Sequence, residues 1–162
     1  MQFLQAEVGV DPAIIEQLYE ASSAGVEIDL IIRGICCLRP GVPGLSNTIR
    51  VRSLLGRFLE HSRIYGFGAD PETAEYLIGS ADLMPRNLDR RVEALVPVRA
   101  PALKRRLAEI IAVELADDRQ VWELDGDGSW HRVPTVAGID AHRTLMERAI
   151  ARSHELRPDG WA

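Results

Sequence analysis

The residues best equipped for chemistry lie in one stretch, 49–91. His61 stands two positions before Arg63 in the run His61-Ser62-Arg63, Gly79-Ser80 follows, and a later loop carries Arg86, Asn87, Arg90 and Arg91. Upstream, Arg33 is followed by Gly34 and, from Cys37, by the run CLRPGVPGLS. An imidazole can be phosphorylated, exchange a proton or hydrogen-bond a phosphate. A guanidinium fork matches phosphate oxygens, each charge-assisted bond being worth about 1.5–3 kcal/mol. The same donors stabilise the charge spread over a phosphoryl group in transfer. His61 is therefore the candidate catalytic residue, and Arg33, Arg63, Asn87, Arg90 and Arg91 are candidate phosphate ligands. A competing arrangement pairs Asp82 and Asp89 with Arg86 and Arg90. His131, His142 and His154 read as surface or structural residues.

The body around this stretch is acidic. The chain has 162 residues and a net charge of −5, which argues against a nucleic-acid footprint over a whole face. From Arg33 to Arg63, by contrast, six arginines accompany one acid, Glu60. A hydrophobic share of 46% is enough for one sizeable core, so a single domain over 1–162 is expected. Cys36 and Cys37 are adjacent and have no metal-type spacing, which reads as buried, reduced thiols. Neither a signal peptide nor a run of ~18 apolar residues is present, which points to the cytoplasm, with attachment to a membrane through a partner left open.

The elements that must position these groups follow from periodicity. Residues 3–10 alternate loosely as a strand. Asp11-Pro12 begins a helix, with Asp as N-cap and Pro at the first helical position, and Gly25 stops it. Residues 26–35 are apolar and β-branched, the pattern of a strand buried on both faces. Together these make a βαβ unit that delivers Arg33 and Gly34 to the carboxyl end of its second strand, where open α/β sheets bind ligands. Ser53 is read as the cap of a short helix over 54–60. A strand over 61–67 would place His61, Arg63 and Tyr65 on one face. A polar turn, a strand over 76–80, a loop over 81–89 and a strand over 92–98 follow. An amphipathic helix spans 101–116. Asp125-Gly126-Asp127-Gly128 joins two strands as a hairpin, and a closing helix covers 139–155.

Three long runs then carry a resemblance: RGICCLRPGVPGLS, FLEHSRIY and SADLMPRNLDRR. With the sequence around them they closely resemble the C-terminal domain of the type 1 polyphosphate kinases from residue 11 to 98, and more weakly through VWELDGDGSWHR to the end. The resemblance implies a phospholipase-D-like α/β fold, a mixed sheet flanked by helices. His61-Ser62-Arg63 is similar to the HxK motif of that fold, with arginine for lysine, and Gly79-Ser80 resembles its later Gly-Ser.

For that family the implied activity is reversible transfer of the terminal phosphate of ATP to polyphosphate through a phosphohistidine, with magnesium bound mainly by the nucleotide and an upstream domain. Two phospholipase-D-like domains face each other, and the phosphorylated histidine belongs to the preceding one. His61 would then be the second active-site histidine, a proton donor or transition-state partner. Arg33 matches an arginine that contacts nucleotide phosphates, whereas Arg63, Asn87, Arg90 and Arg91 extend the set from the charge pattern. Expected partners are ATP, polyphosphate, the upstream domains and further copies of the full-length enzyme, with no nucleic acid. The family usually has Lys-x-Asn where this chain has Gln5 and Glu7. Because its members are several times longer, the chain reads as an excised domain or a shortened relative, inactive alone. Two alternatives stand beside this: a phosphodiesterase of the phospholipase D type working as a homodimer, and a non-catalytic module that binds polyphosphate or nucleotide.

Overall fold

The computed structural model of the chain describes residues 2–5 and 11–155. Strand β1 (Gln2–Gln5), helix α1 (Pro12–Ser23) and strand β2 (Ile28–Ile31) form the expected βαβ unit, with β1 and β2 parallel. Asp11 caps α1 by accepting the Ile14 N–H at 3.1 Å. Gly25 ends it with φ 85°, a conformation that glycine adopts without steric cost. Strand β3 (Ile49–Leu54) lies parallel to β2. Then come β4 (Ile64–Phe67), β5 (Glu75–Gly79), a short helix α2 (Pro85–Arg90) and β6 (Leu95–Val98). Helix α3 (Pro101–Leu115), the hairpin of β7 (Val121–Leu124) and β8 (Trp130–Arg132), and helix α4 (Ala141–Glu155) complete the order.

The strands make one sheet in the order β6-β5-β4-β1-β2-β3-β7-β8. Its three central strands are parallel, and antiparallel strands extend it on both sides. Side chains alternate across it. Ile28, Leu30, Ile49 and Val51 join Leu18 of α1 on one face, while Ile31, Leu54, Ile64 and Tyr76 join Ile111 and Val113 of α3 and Ala141 of α4 on the other. Each of these apolar side chains is 8% exposed or less, so each Leu, Ile or Val among them contributes about 1.5–3 kcal/mol of burial.

Several expectations change. The segment expected as a helix over 54–60 contains none: Ser53 is buried inside β3, paired with Trp122, and caps nothing. Ile49, Val51 and Ser53 alternate with Arg50 and Arg52, and pairing with β2 and β7 settles the conformation. β2 ends at Ile31 rather than at residue 35, leaving Ile35 73% exposed. β4 begins at Ile64, so His61 and Arg63 precede the strand. The expected loop over 81–89 contains α2, started by Pro85, and the expected strand over 92–98 shortens to β6. Cys37 is exposed and Cys36 half-buried, its thiol pushed up to about 11 by burial. Residues 6–10, with Glu7, and 156–162 lie outside the described residues. Among the described residues no helix is long and apolar enough to cross a membrane.

Register explains how distant residues meet. Gln5 pairs with Ile31 on one side and Ile64 on the other, Ile64 pairs with Ile78, and Ile78 with Val96. This row runs along one edge of the sheet. Strands β1, β2, β3 and β5 run towards this row and β4 and β6 run away from it, so the segments after β2, β3 and β5 and the segments before β4 and β6 all emerge there. Arg33, 55–63, Gly79-Ser80 and Glu93 are thus gathered by topology alone.

Candidate active site

At that edge an open cleft of about 520 Å³ is lined by His61, Ser62, Arg63, Gly79, Ser80 and Ala94, among others. His61 is exposed, while the Arg63 side chain is only 15% exposed. The Arg63 guanidinium is held on one side by the buried carboxylate of Asp82, donating from Nε to Oδ1 at 2.8 Å and from Nη2 to Oδ2 at 2.9 Å. This bond raises the guanidinium pKa further and fixes its charge. The other side faces His61: Nη1 lies 3.1 Å from Nδ1, and Nη2 lies 3.3 Å from Nε2. A guanidinium nitrogen can only donate and a neutral imidazole has one accepting nitrogen, so a neutral His61 accepts a hydrogen bond from Arg63 at one of these nitrogens.

A second network frames the cleft. Ser80 donates from Oγ to Glu93 Oε2 at 2.5 Å and accepts the Ala94 N–H at 3.1 Å. Asn87, 2% exposed, donates from Nδ2 to Glu93 Oε1 at 3.1 Å. Glu93 therefore ties the Gly-Ser pair to α2. Gly79 is required by close approach, because a Cβ there would overlap the Ala94 carbonyl. Tyr65 packs beneath, donating to the Ala81 carbonyl at 2.6 Å, with its hydroxyl pushed up to about 12 by burial and then by Asp82.

Arg33 reaches the same region from β2, donating from Nη1 to the Glu60 carbonyl at 3.1 Å, one residue before His61. Of the six candidates, the structure thus brings together His61, Arg63, Arg33 and, through Glu93 and Ser80, Asn87. Asn87 is buried as a brace. Arg90 and Arg91 lie exposed at the end of α2, and among the described residues no hydrogen bond or ion pair links them to His61. Asp82 pairs with Arg63. Glu93 was missed by sequence reasoning. Only the strand pairing that sets Gly79 opposite Leu95 reveals it.

Comparisons with known proteins bear on the family and the fold. Residues 3–144 match the family model described as Polyphosphate kinase C-terminal domain 2. The chain is 56% identical over 145 residues to a protein named polyphosphate kinase from Thermosynechococcus vestitus, covering 86% of this chain and 19% of that protein. It is similar to the crystal structure of polyphosphate kinase from Porphyromonas gingivalis, with a TM-score of 0.87 and 37% identity over 95% of this chain and 24% of that one. A phospholipase D family member, Nuc from Salmonella typhimurium, shares the fold at a TM-score of 0.56 and 16% identity, over 76% of this chain and 81% of that one. The chain spans about a fifth of the length of the curated relatives it matches.

Proposed function

We propose a function from one premise: the chain belongs to the polyphosphate kinase C-terminal domain 2 family. As a single domain over 1–162 it supplies one half of a composite site that transfers the terminal phosphate of ATP to polyphosphate, reversibly. The histidine that carries the phosphate comes from an upstream domain. His61 is the second histidine, which acts on the phosphoryl group as a proton donor or transition-state partner. Arg33 binds phosphate oxygens. Arg63 adds fixed positive charge beside the imidazole, Asn87 shapes the Ser80 side of the cleft, and exposed Arg90 and Arg91 guide the polyanion towards it.

The observation that supports this reading best is the clamp on His61: a guanidinium fixed between Asp82 and the imidazole at the mouth of an open cleft. Donors positioned before the substrate arrives need no reorganisation when charge moves. Among the described residues no group of three His, Cys, Asp or Glu side chains could hold a metal ion. In this reading magnesium is bound mainly by the nucleotide and the upstream domain. The full-length enzyme works in the cytoplasm, or peripherally at a membrane, as a homo-oligomer.

The test is to incubate the purified chain with ATP, magnesium and a short polyphosphate primer, following ADP and chain length, with His61→Ala alongside. The expected result is no turnover, together with polyphosphate binding that weakens steeply with salt. Turnover by the chain alone that disappears in His61→Ala would overturn the shared site.

A further inference from the structure

His142 belongs to none of the groups assigned so far. It lies in the first turn of α4, with its ring 5% exposed, enclosed by the turn over 55–60. Gly56 approaches so closely that a Cβ there would overlap Nδ1. The Phe58 N–H donates to Nδ1 at 3.3 Å, and the Phe58 ring is tilted 57° against the imidazole with centroids 5.6 Å apart. Glu60 Oε2 lies 3.6 Å from Nε2. A backbone N–H can only donate, so Nδ1 is an acceptor and the neutral ring carries its proton on Nε2. That nitrogen is buried without a hydrogen-bond partner among the described residues, and the Glu60 carboxylate lies just beyond reach.

Glu60 passes this contact on. Its Oε1 accepts the Ser62 N–H at 3.0 Å, and its carbonyl accepts Arg33 Nη1 at 3.1 Å. The segment from Leu55 to Arg63 has no helix and no strand pairing, and Phe58 and Leu59 are 49% and 75% exposed. Burial therefore does little to hold it. Its backbone groups need other partners, and His142 supplies one at Phe58 while Arg33 supplies another at Glu60.

We propose that His142 is a positioning residue for the His61 segment: Nδ1 holds the Phe58 backbone, Nε2–H faces Glu60, and through Glu60 the ring sets His61 against Arg63. The phosphate-binding consequence rests on the function proposed above. The coupling between His142 and His61 does not.

The test uses nuclear magnetic resonance on the described chain and three variants. In the wild type, ring 15N shifts should show a bare Nδ1 and a protonated Nε2 on His142. His142→Phe keeps a ring but removes both nitrogens. It should move the His61 Cε1–H and Arg63 Nε–H resonances and weaken tripolyphosphate binding about tenfold. His142→Asn, which can accept at the Nδ1 position, should return those resonances towards wild type. Glu60→Gln removes the charge facing Nε2 and should move the same signals even if His142→Phe fails to fold. A proton on Nδ1 in the wild type, or unchanged His61 and Arg63 signals in folded His142→Phe or in Glu60→Gln, would overturn the proposal. If wild type does not bind tripolyphosphate, the phosphate-site reading fails, and the resonance arms still decide the role of His142.

Discussion

The Arg63 guanidinium and the Asp82 carboxylate close on each other through two parallel hydrogen bonds, 2.8 and 2.9 Å long, across nineteen residues of sequence. This pair orients the cation that faces His61. Asp82→Asn leaves one acceptor and removes the charge. It should cost about 2 kcal/mol, the scale of a hydrogen bond to a charged group, and should release Arg63 from His61. Urea unfolding gives the first number, and loss of the Arg63 Nε–H resonance reports the second. Wild-type behaviour on both counts would mean that the pair does not hold the site.

Arg33→Ala removes one charge-assisted donor. Tripolyphosphate affinity should fall by about 10- to 100-fold, the equivalent of roughly 1.5–3 kcal/mol. Calorimetric titration at two salt concentrations should also show a shallower salt dependence. An unchanged affinity would remove Arg33 from the phosphate contacts.

Gly79→Ala tests the close approach of β5 and the segment before β6. The added methyl would overlap backbone, which cannot swing aside as a side chain tip can. A loss of about 1–3 kcal/mol is expected, with hydrogen exchange rising first at Ser80 and Ala94, whose backbones are bonded at 3.1 Å. Exchange that rises evenly through the sheet would contradict a local effect.

Acid should loosen the α4 end of the site. Burial pushes the Asp118 carboxyl up, but N–H donors of Val136, Gly138, Ala137 and Ile139 outweigh it and hold it below the usual range. Asp140 is held low mainly by the Arg143 N–H. A depressed folded pKa gives stability that is complete above the unfolded value, about 3.9 for Asp, and lost as pH falls through the folded value. Urea midpoints should therefore be level between about pH 8 and 5 and drop below about pH 4. Asp118→Asn should lower the plateau and flatten the acid limb. An acid limb of unchanged steepness would assign it to other groups.

Much of this was legible in the residues because local signals coincided with tertiary ones. Asp11-Pro12 and Gly25 bound α1, and Asp125 to Gly128 turn the last hairpin as their composition demands. What was illegible depended on pairing. Ser53 resembles a helix cap until β3 finds β2 and β7. Glu93 resembles any surface acid until β5 and β6 bring it to Ser80. His142 carries no local mark, since its surroundings come from a turn more than eighty residues upstream. Short-range patterns place elements, whereas the partners of a buried polar group are set by the sheet's register.

The most direct measurement replaces the matching C-terminal segment of the Thermosynechococcus vestitus relative with this chain, 56% identical to it, and follows ADP and polyphosphate length. The account predicts that the chimera elongates polyphosphate, that its His61→Ala form does not, and that the chain alone is silent. Elongation that survives His61→Ala in the chimera would contradict the role given to this histidine.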